Sequence, residues 1–360
     1  MKIKDFIDYE QPNEYIVESD RYNSKYSTPV LTAGQSFILG YTNESKGVYE
    51  KGPCIIFDDF TTSVHYVDFP FKVKSSAMKI LTTKSNADIK YCYYLLLSLS
   101  KMPPNHKRQW ISTTSEKSYV LPSMDKQISI VKQLDLISDT IANYTNQIEN
   151  LDNLVKARFI EMFGDPVADT RNWGQTLLKE HLESIKYGTS TPPIFTDDGY
   201  AFIRATNIKN GKIITNDMKY IPQEEADRLE KCKLSGGEII IVRSGVNAGD
   251  TCIVTDEYIG QYAGYDMILV LSSDLHPVFF NTLINTEYMD KVVKPLTRRA
   301  AQPHLNSEQT QRLPIIEVPF ELQEQFADFV KQVDKSREEV KKSLEKTQQL
   351  YDSLMQEYFG

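Results

Sequence analysis

Apolar side chains recur at Ile130, Leu134, Ile137, Ile141, Tyr144, Ile148, Leu151 and Val155, alternating four and three residues apart. Sustained over residues 126–164, that spacing predicts a long helix packing along one seam. Shifted by 196 residues the pattern returns without a gap, at Phe326, Val330, Val333, Val340, Leu344 and Tyr351, and Phe359–Gly360 matches Phe163–Gly164. Arg337 and Thr347 interrupt the second copy, which therefore reads as the looser one. Leu121–Pro122 and Leu313–Pro314 stand ahead of the two copies and offer a break before each helix. The chain reads as domain, helix, domain, helix.

A length of 360 residues suits two globular units of about 120–150 residues plus connecting helices. The expected boundaries are 1–122 for the first domain, 123–166 for the central helix, 167–314 for the second domain and 315–360 for the last helix. After a short lead-in over residues 3–10, strand-like runs cover 28–32, 36–41, 54–57 and 72–81, and 88–99 reads as helical. The second domain repeats that order, with strands at 201–203, 212–214, 238–242, 251–254 and 267–271 and a late helix over 277–289. The fold class is α+β: two mixed domains separated by two long helices that form an antiparallel coiled coil. A 39-residue helix is about 58 Å long, so such a pair is a spacer longer than one ~35 Å turn of DNA.

Composition excludes several classes. The opening Met1-Lys2-Ile3-Lys4-Asp5 does not lead into a signal sequence, and the apolar run from Tyr91 to Leu97 is far too short for a membrane helix. Cys54, Cys92, Cys232 and Cys252 are scattered and read as reduced core residues of a cytosolic protein. The five histidines stand apart from one another and from the cysteines, so no metal site is expected. No phosphate-cradling or dinucleotide-binding loop occurs, nor the Asn/Asp-Pro-Pro-aromatic signature of an amino-group methyltransferase. Nothing reads as catalytic, and no cofactor is expected on this chain.

The net charge of −8 conceals two basic segments. Residues 72–108 hold eight Lys/Arg against Asp88, and residues 291–312 hold Lys291, Lys294, Arg298, Arg299 and Arg312 against Glu308. Focused contact with a polyanion has that form, although a solvated face would too. Base reading needs forked donors and amides on loops, beside cations that hold phosphates. The first domain offers Gln35 and Ser36, then Lys72 and Lys74, then His106, Lys107 and Arg108, with Trp110 beside them as an aromatic. The second offers Lys186, Thr189 and Ser190, then Arg204 and Asn207, then Arg243 and Asn247, then Arg298, Arg299, Gln302 and His304. Asp58–Asp59 is the one carboxylate pair, and turn capping is preferred for it over cation binding or base reading. An intracellular scaffold whose coiled coil joins two protein-binding domains is the alternative from a different class.

On these residues the chain resembles the specificity subunits of Type I restriction-modification systems. The strongest local features are Ala157 to Pro166 at the end of the central helix and Leu313–Pro314 with Glu321-Leu322-Gln323; the spans Phe202 to Gly211 and Ala301 to His304 are also family-like. The resemblance implies two target-recognition domains, each reading half of a bipartite site in double-stranded DNA. It implies that the helices set the spacer and bind two methyltransferase subunits, which carry S-adenosylmethionine and methylate adenine. A restriction subunit using ATP and Mg2+ joins where present. A specificity module of another restriction class, or of an orphan methyltransferase, is the alternative within the same biology.

Overall fold

The computed structural model describes residues 1–32, 36–101, 103, 107–297 and 303–360. These divide into two compact units: Met1–Thr145 with Lys342–Gly360, and Asn146–Lys341. Each unit therefore contains half of each long helix.

In the first unit the strands are β1 (Ile7–Glu10), β2 (Thr28–Leu31), β3 (Ile38–Thr42), β4 (Cys54–Asp58), β5 (Val64–Val67), β6 (Lys72–Val73) and β7 (Met78–Thr83). Helix α1 (Ile89–Leu99) follows, capped by Asp88, whose side chain accepts from Tyr91 N. A four-stranded antiparallel sheet has the order β1-β7-β4-β5, and a three-stranded sheet the order β3-β2-β6 with β2 and β6 parallel. All five residues of β4 are buried. Their alternation explains why: Ile55 and Phe57 face a core with α1, while Cys54 and Ile56 face a second core with Leu31, Phe71 and Val73. The run expected over 72–81 is two strands, not one. Lys72–Val73 pairs with β2 and Met78–Thr83 with β1 and β4, because the chain turns at 74–77 to cross between sheets.

The long helix α2 (Met124–Phe163) leads out of the first unit, and β8 (Gln175–Leu177) and β9 (Leu182–Tyr187) begin the strands of the second. There follow β10 (Tyr200–Ile203), the hairpin β11 (Ile208–Lys209) and β12 (Lys212–Ile213), β13 (Lys219–Ile221), α3 (Gln223–Arg228), β14 (Ile239–Ile241), β15 (Thr251–Ile253), β16 (Tyr262–Ala263) and β17 (Met267–Leu271). Then come α4 (Pro277–Ile284), α5 (Lys294–Thr297), α6 (Ser307–Gln311), β18 (Pro314–Ile316) and the last long helix, α7 (Phe320–Phe359). The elements within 175–187 and 223–228 are not among those expected from sequence. Pro314 opens a strand paired with β8, so α7 begins only after Pro319. Helix α4 stops at Ile284 because the Asn285 side chain turns back to Asn281 O and across to Thr251 Oγ1, and a π-turn over Met289–Val293 follows.

The duplication expected from sequence reappears in the strand order. The second unit has an antiparallel sheet β15-β14-β17-β9 and a three-stranded sheet β13-β10-β16 with β10 and β16 parallel. Strands β9, β10, β13, β14, β15, β16 and β17 take the places that β1 to β7 hold in the first unit. The burial alternation repeats as well: Ile239 and Ile241 face one core, Ile240 and Val242 the other.

The helix halves pack antiparallel inside each unit. In the first, Ile130, Val131 and Leu134 meet Tyr351, Met355 and Phe359, and Tyr358 Oη donates to Gln133 Oε1 at 2.7 Å. In the second, Phe159, Phe163, Phe279 and Phe326 form a cluster with ring centroids 5.0–5.5 Å apart. Every expected seam residue is buried or half-buried. Arg337, which sequence alone reads as a weak point, is 3% exposed and pairs with Asp152 on α2 at 2.6 Å and with Asp334. The seam there is ionic, not absent. Thr347 is half-buried and donates to Ser343 O.

Two glutamines whose role sequence reasoning missed, Gln127 and Gln323, join the domains to their helices. Gln127 is fully buried: Nε2 donates to Asn86 O and Pro122 O, and Oε1 accepts from Asp88 N at the cap of α1. Gln323, 196 residues on, does the same with Asp274 O, Val318 O and His276 N at the cap of α4. A buried amide that satisfies three backbone groups leaves no polar atom stranded at either joint.

Candidate nucleic-acid interface

In the second unit the expected reading segments converge. The turn between β16 and β17 is the hub: Gly264 N donates to Ile203 O at 2.6 Å, Thr189 N donates to Gly264 O at 3.1 Å, and Gly188 N donates to Asp266 O at 2.8 Å. Gly188 is required there, since a Cβ would lie 1.7 Å from Gly264 O. Asp266 Oδ1 then accepts from Arg243 N at 3.0 Å. Ser244 Oγ meets His304 Nδ1 at 2.8 Å, and Leu305 N donates to Arg243 O. Thus Thr189, Ser190, Arg204, Arg243, Asn247 and His304 lie on segments bonded to one another, beside a cavity of about 350 Å³ lined by Thr189, Ser190, Ala205, Arg243, Ser244, Tyr265 and Asp266.

Their environments differ. The Arg243 guanidinium lies over the Tyr187 ring, 5.0 Å from its centroid, which keeps the cation extended and its N–H groups available. Arg204 is bound to Asp217, through Oδ2 at 2.9 Å and the backbone carbonyl at 2.5 Å. Asn207 is fully buried and donates to Ile214 O and Asn216 O, so its amide closes the 204–216 loop instead of facing outward. Lys186 belongs to strand β9, opposite Ile268, and not to a loop. Asp266 is 3% exposed, its Oδ2 has no hydrogen-bond partner, and burial pushes its pKa up to about 6. No sequence signal marks Asp266: one acid between Tyr265 and Met267 looks like any strand entrance.

The first unit builds the same hub from different residues. Lys74 N donates to Leu31 O as Gly264 N does to Ile203 O, and Asp59 N donates to Ala77 O. Asp59 is 1% exposed; Oδ1 accepts from Gln109 N and Trp110 N, and Lys79 Nζ stands 3.1 Å from Oδ2. Asp58 caps its own turn through Phe60 N and Thr61 Oγ1. Asp58 thus caps a turn as expected, whereas Asp59 does not: it holds the distant 109–110 backbone and pairs with Lys79. Ser36, Lys107 and Arg108 are exposed. Lys72 is not available: it is 3% exposed, 2.9 Å from Glu44 and bonded to Lys46 O. Lys74 is half-buried and paired with Asp20. Trp110 is core, packed on Phe57 at 5.2 Å, and displays no ring. Gln35, His106, Arg298, Arg299 and Gln302 lie outside the described residues.

All four cysteines are buried and free. Among the described residues no helix is long and apolar enough to cross a membrane.

Known proteins are similar to this chain in sequence and fold. Residues 174–349 match the family model of the Type I restriction modification DNA specificity domain. The Type I restriction enzyme EcoR124I/EcoR124II specificity subunit of Escherichia coli is 44% identical over 160 residues, 42% of this chain and 40% of that protein, so the match spans well under half of that relative. The MjaVIII specificity subunit of Methanocaldococcus jannaschii is 22% identical over 97% of this chain and 91% of its own length. Among solved structures, the S subunit of a Type I restriction-modification system from M. genitalium superposes with a TM-score of 0.63 at 15% identity, covering 99% of this chain and 94% of its own. A chain from a structure on complex assembly and conformational transition of the type I R-M system gives 0.51, also at 15% identity, covering 98% and 97%.

Proposed function

We propose, from the premise that this chain belongs to the Type I restriction-modification specificity family, that it is the non-catalytic DNA-reading subunit of such a complex in the cytoplasm. Residues 1–122 and 167–314 are the target-recognition domains, and each reads one half of a bipartite site in duplex DNA. The observation that carries this reading is the duplicated strand order, with polar loops ending on the same turn in both units. In the second domain Arg243, Ser190, Thr189, Asn247 and His304 present donors to base edges and phosphates; Arg298, Arg299 and Gln302 add to them. In the first, Ser36, Lys107, Arg108, Gln35 and His106 serve. Lys72 and Asn207 support the fold instead.

Helices α2 and α7 set the interval between half-sites and dock two methyltransferase subunits, which supply S-adenosylmethionine. Leu136 and Leu154 on α2 are 68% and 47% exposed, which suits helix faces awaiting a partner. Restriction subunits with ATP and Mg2+ join where present.

The test is binding to the cognate duplex by the assembled complex at several salt concentrations. Affinity falls steeply with salt, and Arg298→Ala or Arg299→Ala lowers the log–log slope by up to about 0.9 for each phosphate that is no longer neutralised. Salt-independent binding, or no DNA binding by an intact complex, would favour a protein-binding scaffold.

A further inference from the structure

The loop joining β14 to β15 is longer than its counterpart. Strands β4 and β5 are closed by 58–63 between the pairing residues Phe57 and Val64, whereas β14 and β15 are closed by 242–250 between Ile241 and Thr251. The shorter loop closes the same strand pair, so the extra residues of the second are not needed to form the hairpin. They are held firmly nonetheless. Val242 N donates to Asp250 O, Gly249 N to Val242 O, Ala248 N to Gly245 O, Asp250 N to Asn247 O and Gly245 N to Pro303 O, all within 2.8–3.1 Å. Asp266 and His304 pin Arg243 and Ser244 beneath. At the tip stands Val246, 94% exposed, presented by Gly245 in the left-handed region at φ +92°. The hydrogen-bonded loop thus displays a bare isopropyl group, close in sequence to Ser244, bonded to His304, and to Asn247, bonded to Ala205 O.

Of the groups on the base edges of the major groove, the C5-methyl of thymine is the apolar one; the others donate or accept hydrogen bonds. We propose that Val246 is a specificity-determining residue of the second domain, contacting the methyl group of one thymine in the half-site while its polar neighbours hold the strands. A polyanion with apolar base methyls suits this surface, since Arg243, whose guanidinium lies over Tyr187, lines the cavity beside the loop. The assignment rests on the DNA-reading function proposed above.

The experiment uses the full chain assembled with its methyltransferase subunit. Methylated sites are mapped by modification-sensitive sequencing for the wild type, Val246→Ala and Val246→Ser. Duplexes carrying deoxyuridine in place of each thymine of the second half-site are then titrated. The expected result is one thymine position that turns degenerate in both variants, with the first half-site and the spacer unchanged. Deoxyuridine at that position weakens wild-type binding about four-fold, the effect of burying one methyl-sized group, and leaves Val246→Ala indifferent. A wild-type motif that persists unchanged in both variants, a second half-site without thymine on either strand, or uniform loss of methylation by an intact complex would each overturn the assignment. A wild type that produces no motif would instead overturn the DNA-reading function itself.

Discussion

The Lys72 ammonium donates to Lys46 O at 2.6 Å and faces Glu44 at 2.9 Å in a nearly closed site. Removing Lys72 leaves the part-buried Glu44 carboxylate without its cation, held by Glu18 N and Ser19 N, at a cost of up to about 3 kcal/mol. Lys72→Ala is therefore expected to lower unfolding free energy by up to about 3 kcal/mol in a denaturant titration; an effect under about 1 kcal/mol would mean the pair is solvated. Asp266 carries the opposite sign of pH dependence from an ordinary paired acid. Its pKa rises from 3.8 in the unfolded chain to about 6 in the folded one. The folded state thus holds its proton more tightly, and the contribution to stability is full below about pH 4 and lost as pH climbs through about 6. Over that window the loss amounts to as much as about 3 kcal/mol. Asp266→Asn is expected to flatten this part of the stability–pH profile, and an unchanged profile would refute the assignment. Sequence could name Lys72 and Asn207 as polar candidates because their type and neighbours suited DNA. It could not tell that one closes an ion pair and the other a loop, since burial is decided by segments far away in the chain.

Among the elements, the two long helices were legible because a seam of about 3.5-residue period is written locally, although the second begins at Phe320 and not at 315, where β18 pairs with β8. Short elements were not. The 72–81 run divides because its two ends join different sheets, and strands β8 and β18 exist only because residues near 176 and 315 pair across the intervening domain. Arg337 looked like a defect in the seam for the same reason: its partner, Asp152, lies on the other helix. Gln127 was invisible, since an isolated glutamine near a helix start has no signature, and Gln323 was noticed only as part of the resemblance, without its role as a joint. Each satisfies three backbone groups. Gln127→Ala is expected to cost about 2–3 kcal/mol, the desolvation penalty of stranded backbone groups, and to raise amide hydrogen exchange at Asp88. Exchange at His276 should respond to Gln323→Ala alone. Equal exchange at Asp88 and His276 in both variants would show that the glutamines are not local joints.

At the scale of the whole molecule, one chain carries two units built on the same strand order, the two readers proposed above. If the readers are independent, replacing residues 167–312 by the matching segment of a related subunit changes one half of the methylated motif and leaves the other half alone. The most direct measurement is the methylome of a methylation-deficient host expressing this chain with a methyltransferase subunit of the proposed kind. The expected result is a new bipartite motif, methylated on adenine, with two defined halves at a fixed interval, that disappears when this chain is withheld. A stable complex of the two proteins that leaves no motif, or a motif that persists without this chain, would contradict a DNA-reading role.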